Sequence, residues 1–253
     1  MEHITSRHNP LMGHIRRLAG SAAYRWETGE FLCDSPKLLQ EALLWQAEIT
    51  AVVTISPLPR LPEHIRQVQV PEDVMASISP VKTPQGVLFT CRLPQAPLPQ
   101  TLTGRRYVLL DGVQDPGNVG TLLRSAAAFG FDGVLLSKGC AAPFAPKTLR
   151  ASMGAAGRLP VAPVQDLPQA LQQLRARGVV CLAAALYHSR PLDEAPQSYP
   201  DGLCAVIGSE GQGLTDAAVQ ACDMAVRIPM TDLVESLNAG VAGSVLLWHF
   251  RGV

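Results

Sequence analysis

The chain has 253 residues, 47% of them hydrophobic and 5% aromatic, enough apolar mass for one large domain or two smaller ones and too much for a disordered chain. Lys plus Arg number 21 and Asp plus Glu number 21, so net charge selects no partner, yet residues 101–160 hold seven basic side chains against three acidic and mark where a polyanion would bind. Six cysteines without zinc spacing, six scattered histidines and no run near the roughly 18–20 apolar residues of a membrane span lead us to expect no metal and a soluble, cytoplasmic protein with reduced thiols.

In chain order, "NPLMGHIRRLAGSAAYRWETGEFLC" reads as a helical stretch leading to a short strand near "EFLC". "SPKLLQEALLW" follows as a helix with Ser35 at its N-cap and Pro36 at its first position. "ITAVVTIS" is a strand, "PEDVMASIS" a short helix and "QGVLFTCRL" another strand. This is the pattern of a small α/β domain over 1–93. The proline-rich stretch "PQAPLPQTLTGRR" over 94–106 reads as a linker.

Over 107–253 the pattern of strands and helices becomes strongly alternating. "RYVLLDGV", "GVLLS", "VVCLAAAL", "LCAVIGSE" and "MAVRIPM" are strands. "QDPGN" is a turn, and the helices are "VGTLLRSAAAFG" closed by Gly130, "DLPQALQQLRARG", "GLTDAAVQACD" capped by Thr215, and "SLNAGVAGSVLLWHF". The pattern implies a mostly parallel sheet with helices on both faces, where ligands bind beyond the carboxyl ends of strands. Three loops qualify: 114–120, 208–213 and 229–238. They bring Asn118 with Arg124 in the following helix, Glu210 among glycines, and Ser236 with Asn238. Each has an ordinary explanation, as turn residue, helix cap, first-turn acid or surface cation. Together they put a cation, a carboxylate, two amides and a hydroxyl at one sheet edge, without a Ser–His or Cys–His nucleophile. Such a set suits positioning and charge stabilisation better than covalent catalysis. No G-x-G-x-x-G, phosphate-binding G-x-x-x-x-G-K-[ST] or G-x-S-x-G motif is present.

"NVGTLLRSAAAFGFDGVLLS", "APKTLRASMGAAGRLPV", "VIGSEGQGL" and "RIPMTDLVESLNAGVAGSVLL" resemble, in order and spacing, the motifs of the SpoU/TrmH family. These are S-adenosylmethionine-dependent RNA ribose 2'-O-methyltransferases of the SPOUT superfamily. "ITSRHNPLMGHIRRL" and "GEFLCDSPKLLQEAL" are similar to the substrate-binding domain often placed ahead of the catalytic one. The resemblance implies a trefoil knot in the second domain, a homodimer, and an S-adenosyl-L-methionine pocket formed by Gly208, Gly211, Ile228, Met230 and Leu237. It puts Asn118, Arg124, Glu210, Ser236 and Asn238 on catalytic and substrate-orienting positions. A guanidinium stays charged, which suits Arg124 to holding phosphate and stabilising a developing alkoxide; whether it also takes the proton is left open. RNA, ribosomal or transfer, would meet Arg105, Arg106, Lys147, Arg150 and Arg158, with Arg7, Arg16 and Arg17 on the first domain. The chain departs from the family at Asp232, near which a glycine is usual, at Ala239 in place of valine, and at "CDSPK" in place of a glycine-containing pattern. A binder that kept the fold but lost turnover, and another nucleotide-binding α/β enzyme, are the competing readings.

Overall fold

Caps and breakers set the local structure. The computed structural model describes residues 1–58, 61–94, 104–196 and 198–252. Asn9 accepts a hydrogen bond from the Leu11 amide at 2.9 Å and starts α1 (Pro10–Gly20), whose Met12, Ile15 and Leu18 are buried at helical spacing. Ser21 ends α1 and caps α2 (Ala22–Thr28), so the single helical stretch read from the sequence is two helices. Gly29, at φ 66°, turns the chain into β2 (Glu30–Asp34). α3 (Pro36–Leu44) starts as expected, with the Ser35 hydroxyl accepting from the Leu38 amide.

The chain divides into two compact units, residues 1–94 with 144–158, and residues 95–143 with 159–253. The linker expected over 94–106 lies largely outside the described residues. The first unit holds a mixed five-stranded sheet in the order β1-β4-β3-β5-β2, made of β1 (Glu2–His3), β2, β3 (Ile49–Thr54), β4 (Arg66–Gln69) and β5 (Val87–Arg92). α1 and α4 (Glu72–Ile78) cover its Leu32, Val53, Val68 and Leu88. Two strands, β1 and β4, were not foreseen; they are short and too polar for the alternating pattern. Residues 144–158, with α6 (Pro146–Ser152), belong to this unit although their sequence lies among the second unit's elements. Phe144 packs on Phe31 and Trp26, and Gly154 and Gly157 lie against the Trp45 ring, where a Cβ would come within 3.0 and 2.9 Å.

The second unit is a seven-stranded, all-parallel sheet in the order β10-β12-β9-β11-β6-β7-β8. Its strands are β6 (Arg106–Asp111), β7 (Gly133–Leu136), β8 (Val161–Pro163), β9 (Val180–Ala184), β10 (Arg190–Pro191), β11 (Leu203–Gly208) and β12 (Met224–Arg227). α7 (Leu167–Arg175) and α8 (Asp216–Ala221) bury Tyr107, Leu109 and Val206 on one face. α5 (Pro116–Ala128) and α9 (Ala239–His249) pack together, α5 against β7 and α9 against β11. "QDPGN" is not a free turn: Asp115 caps α5 by accepting from the Asn118 amide at 3.0 Å, so Pro116, Gly117 and Asn118 form its first turn. From β6 the chain runs outward through β7 and β8, then returns beyond β11 to β9. The sheet therefore reverses direction between β6 and β11, the place where open parallel sheets leave a crevice at their carboxyl edge.

Candidate active site

The site forms where β6 and β11 end side by side. Asp111 and Gly208 are register partners, so the loops that follow them leave the sheet at one level. Gly208 has no room for a side chain, because a Cβ there would collide with the backbone of Gly213 and Leu214. Ser209 and Gly213 exchange two backbone hydrogen bonds of 3.0 Å and close the loop that presents Glu210.

Two of the five expected catalytic residues, Asn118 and Glu210, bond each other, and a third, Asn238, lies across Gly240 from Asn118. Asn118, 9% exposed, donates its side-chain amide to the Glu210 carboxylate. Gly240 lies against both asparagines: a Cβ there would stand 3.0 Å from Asn118 Oδ1 and 3.2 Å from Asn238 Oδ1. Asn238 caps α9, accepting from the Val241 amide at 3.2 Å, so cap and site are one residue. α9 can approach this closely because its inner face is small: Ser244 bonds Ser125 of α5 at 2.8 Å, and Gly243 sits against Leu122 and Ile207.

The Arg124 and Ser236 side chains make no bond to this group. Both are exposed, and neither side chain has a hydrogen-bond or ion-pair partner among the described residues. Arg124 lies six residues beyond Asn118 on α5, roughly 9 Å along the axis and about 240° around it. Because α5 begins at Pro116, Arg124 is more than two turns into the helix, where the sequence suggested one. Of the cofactor positions, Ile228 and Leu237 are partly buried while Gly211 and Met230 are exposed. The backbone of residues 229–237 makes no backbone hydrogen bond among the described residues, leaving its amides and carbonyls for solvent or a ligand.

The basic residues separate. Arg105 and Arg106 lie at the amino end of β6, about 16 Å from its Asp111 end. Lys147, Arg150 and Arg158 belong to the first unit. There Arg150 pairs with the buried Asp34 carboxylate at 2.8 Å and Arg158 lies over Trp45. Arg7 pairs with Asp73, Arg16 reaches the Arg7 and Met12 carbonyls, and Arg17 stacks on Tyr24 at 3.7 Å. Two clefts, about 440 Å³ beside Arg175 and Asp223 and about 500 Å³ beside His14 and Glu30, share no residue with the three loops. Among the described residues no group of three His, Cys, Asp or Glu side chains could hold a metal, and no helix is long and apolar enough to cross a membrane.

Sequence reasoning missed Asp111. It is 8% exposed and takes three hydrogen bonds: from the Ser137 hydroxyl at 3.1 Å, the Thr215 amide at 3.1 Å and the Thr215 hydroxyl at 3.0 Å. An acid that ends an otherwise apolar strand was the available signal.

Comparison with known proteins identifies the family. Residues 105–248 match the model of the SpoU rRNA Methylase family. The 23S rRNA (guanosine(2553)-2'-O)-methyltransferase RlmP of Bacillus subtilis is 34% identical over 232 residues, covering 90% of this chain and 91% of that protein. The solved structure of a putative RNA methyltransferase of the TrmH family from Porphyromonas gingivalis has a TM-score of 0.82 at 33% identity, covering 94% of this chain and 96% of the other. The AdoMet-bound rRNA methyltransferase from Sinorhizobium meliloti has a TM-score of 0.85 at 28% identity, covering 98% and 96%. With its loops converging at the switch point of a parallel sheet and its sequence matched across that whole sheet, the chain belongs to the SpoU rRNA methylase family.

Proposed function

We propose that this chain transfers a methyl group from S-adenosyl-L-methionine to a ribose 2'-hydroxyl of ribosomal or transfer RNA. The observation that carries the reading is the Asn118–Glu210 hydrogen bond, with Asn238 set across Gly240 from Asn118, in a chain of this family. The cofactor fits what is present. Gly208, Gly211, Ile228, Met230 and Leu237 combine close backbone approach, unpaired backbone groups and apolar side chains, which suit an adenosine. The cofactor supplies an activated sulfonium methyl, so the protein's task is alignment and charge. Glu210 holds the Asn118 amide, Asn238 and Ser236 orient the ribose, and Arg124 holds the neighbouring phosphate and stabilises negative charge on the attacking oxygen.

The first unit serves as the RNA substrate-binding domain and the second as the catalytic domain, for which family membership implies a trefoil knot. Exposed cations, Lys147, Arg158 and Arg105 among them, add phosphate contacts. The protein works in the cytoplasm as a homodimer through the second unit. That arrangement is supported by α9, whose Val241, Val245 and Trp248 form an exposed apolar stripe at helical spacing, and sedimentation of the purified chain tests it.

Methyl incorporation into ribosomal and transfer RNA from labelled cofactor tests the reaction. Arg124→Ala and Asn238→Ala should each lower turnover by about a hundredfold or more. Asn238→Asp keeps the cap acceptor and removes the amide donor, so it should fold like the parent chain and still fail to turn over. Full turnover in all three variants would reject the assignment, and RNA binding without incorporation by the parent chain would leave a binder that kept only the fold.

A further inference from the structure

We infer that Asp111 is a positioning residue for methyl transfer, holding the loop through which Glu210 reaches Asn118. The inference rests on the reading of Glu210 and Asn118 as site residues. Both oxygens of its carboxylate are engaged, and by different elements. Oδ1 accepts from Ser137, just past the end of β7, and the Ser137 hydroxyl in turn accepts from the Gly112 amide at 3.0 Å. Oδ2 accepts both the amide and the hydroxyl of Thr215. Thr215 also caps α8, so the carboxylate grips the far end of the 209–214 loop where it becomes helix.

The loop itself is stiffened by the Ser209–Gly213 pair and by the close packing of Gly208 on Gly213 and Leu214. The loop is attached at two points: the β11 end at Gly208 and the α8 end at Thr215. Asp111 sits beside the first as register partner and bonds the second. It touches neither Asn118 nor Glu210, and its effect on them passes through the loop. A carboxylate is needed because an amide offers one acceptor oxygen, whereas here two oxygens accept three donors.

Steady-state methyl transfer by the full chain tests this. Asp111→Ala should lower kcat about tenfold, the size of one or two charge-assisted hydrogen bonds, while KM for RNA stays within about twofold. Asp111→Asn, keeping one acceptor for Thr215, should recover part of that loss. In a Glu210→Gln background Asp111→Ala should cost less than about twofold more, because the group it positions is already disabled. Equal losses with and without Glu210 would show a general structural role and overturn the inference. Normal turnover in Glu210→Gln alone would remove the site reading and the inference with it. If Asp111→Ala does not fold, Thr215→Val keeps the volume and the amide bond while deleting the hydroxyl, both a donor to Asp111 and the α8 cap, and the dependence of the loss on Glu210 separates the two. It should lose about threefold, again only when Glu210 is present.

Discussion

At Ser35 a non-glycine residue is held at φ 97° and ψ 145°, a conformation that essentially only glycine adopts without strain. Its hydroxyl still caps α3, but glycine is a tolerable cap, costing only a few tenths of a kcal/mol. Ser35→Gly should therefore stabilise the chain by about 1 kcal/mol, read as a higher urea midpoint with an unchanged slope. The sequence marked this position twice, as a cap and as a departure from a glycine-containing pattern. Only the backbone angles show that both readings hold at once. Asn238 has a similar double character: the cap and the proposed site residue read as alternatives in sequence, and the fold allows one side chain to be both.

Two glycines inside helices show how packing decides the sign of one substitution. A Cβ on Gly13 of α1 meets nothing within 4 Å. One on Gly243 of α9 would overlap the Leu122 side chain and stand 2.8 Å from that of Ile207, both of them buried. Gly13→Ala should stabilise by about 1 kcal/mol through helix propensity. Gly243→Ala should destabilise by roughly 1–2 kcal/mol in spite of the same gain, because overpacking costs more. Thermal unfolding of the two variants checks both signs. Helix propensity was legible in the sequence. The closeness of α9 to α5 was not, since small residues on several faces of "AGVAGSV" suit a lone helix as well as a packed one.

On the scale of the molecule, the first unit depends on a segment remote in sequence. Phe144 is 3% exposed against Phe31, and Trp45 lies on Gly154 and Gly157 in the same unit. Phe144→Ala should cost about 3–5 kcal/mol and shift the transition reported by Trp45 fluorescence, measured in a Trp26→Phe, Trp248→Phe background. The buried thiols set the alkaline limit. Burial pushes Cys33 well up and Cys91 to about 12, and a hydrogen bond with Cys181, added to burial, raises Cys204. Unfolding would release their protons near the ordinary thiol value of 9.0, so folded protein binds more protons than unfolded above that pH. Stability is fully present below about pH 9 and falls as pH rises from there, by roughly 1.4 kcal/mol per unit for each such group. Denaturation midpoints between pH 7 and 11 check the sign.

Except for β8 and β10, three and two residues long, strand and helix identity in the second unit was determined by sequence alone, as were most caps and the loops that carry the candidate residues. Each depends on periodicity or on a side chain bonding its own local backbone, and both act within a few residues. Tertiary structure alone decided that Asn118 bonds Glu210 with Asn238 across Gly240, that the Arg124 and Ser236 side chains bond none of the three, and that Asp111 ties two loops together. It also decided that residues 144–158 join the first unit and occupy Arg150 with Asp34. These contacts join positions tens to more than a hundred residues apart. Their partners are set by strand order and by which small residues let helices close in, and local patterns carry no trace of either.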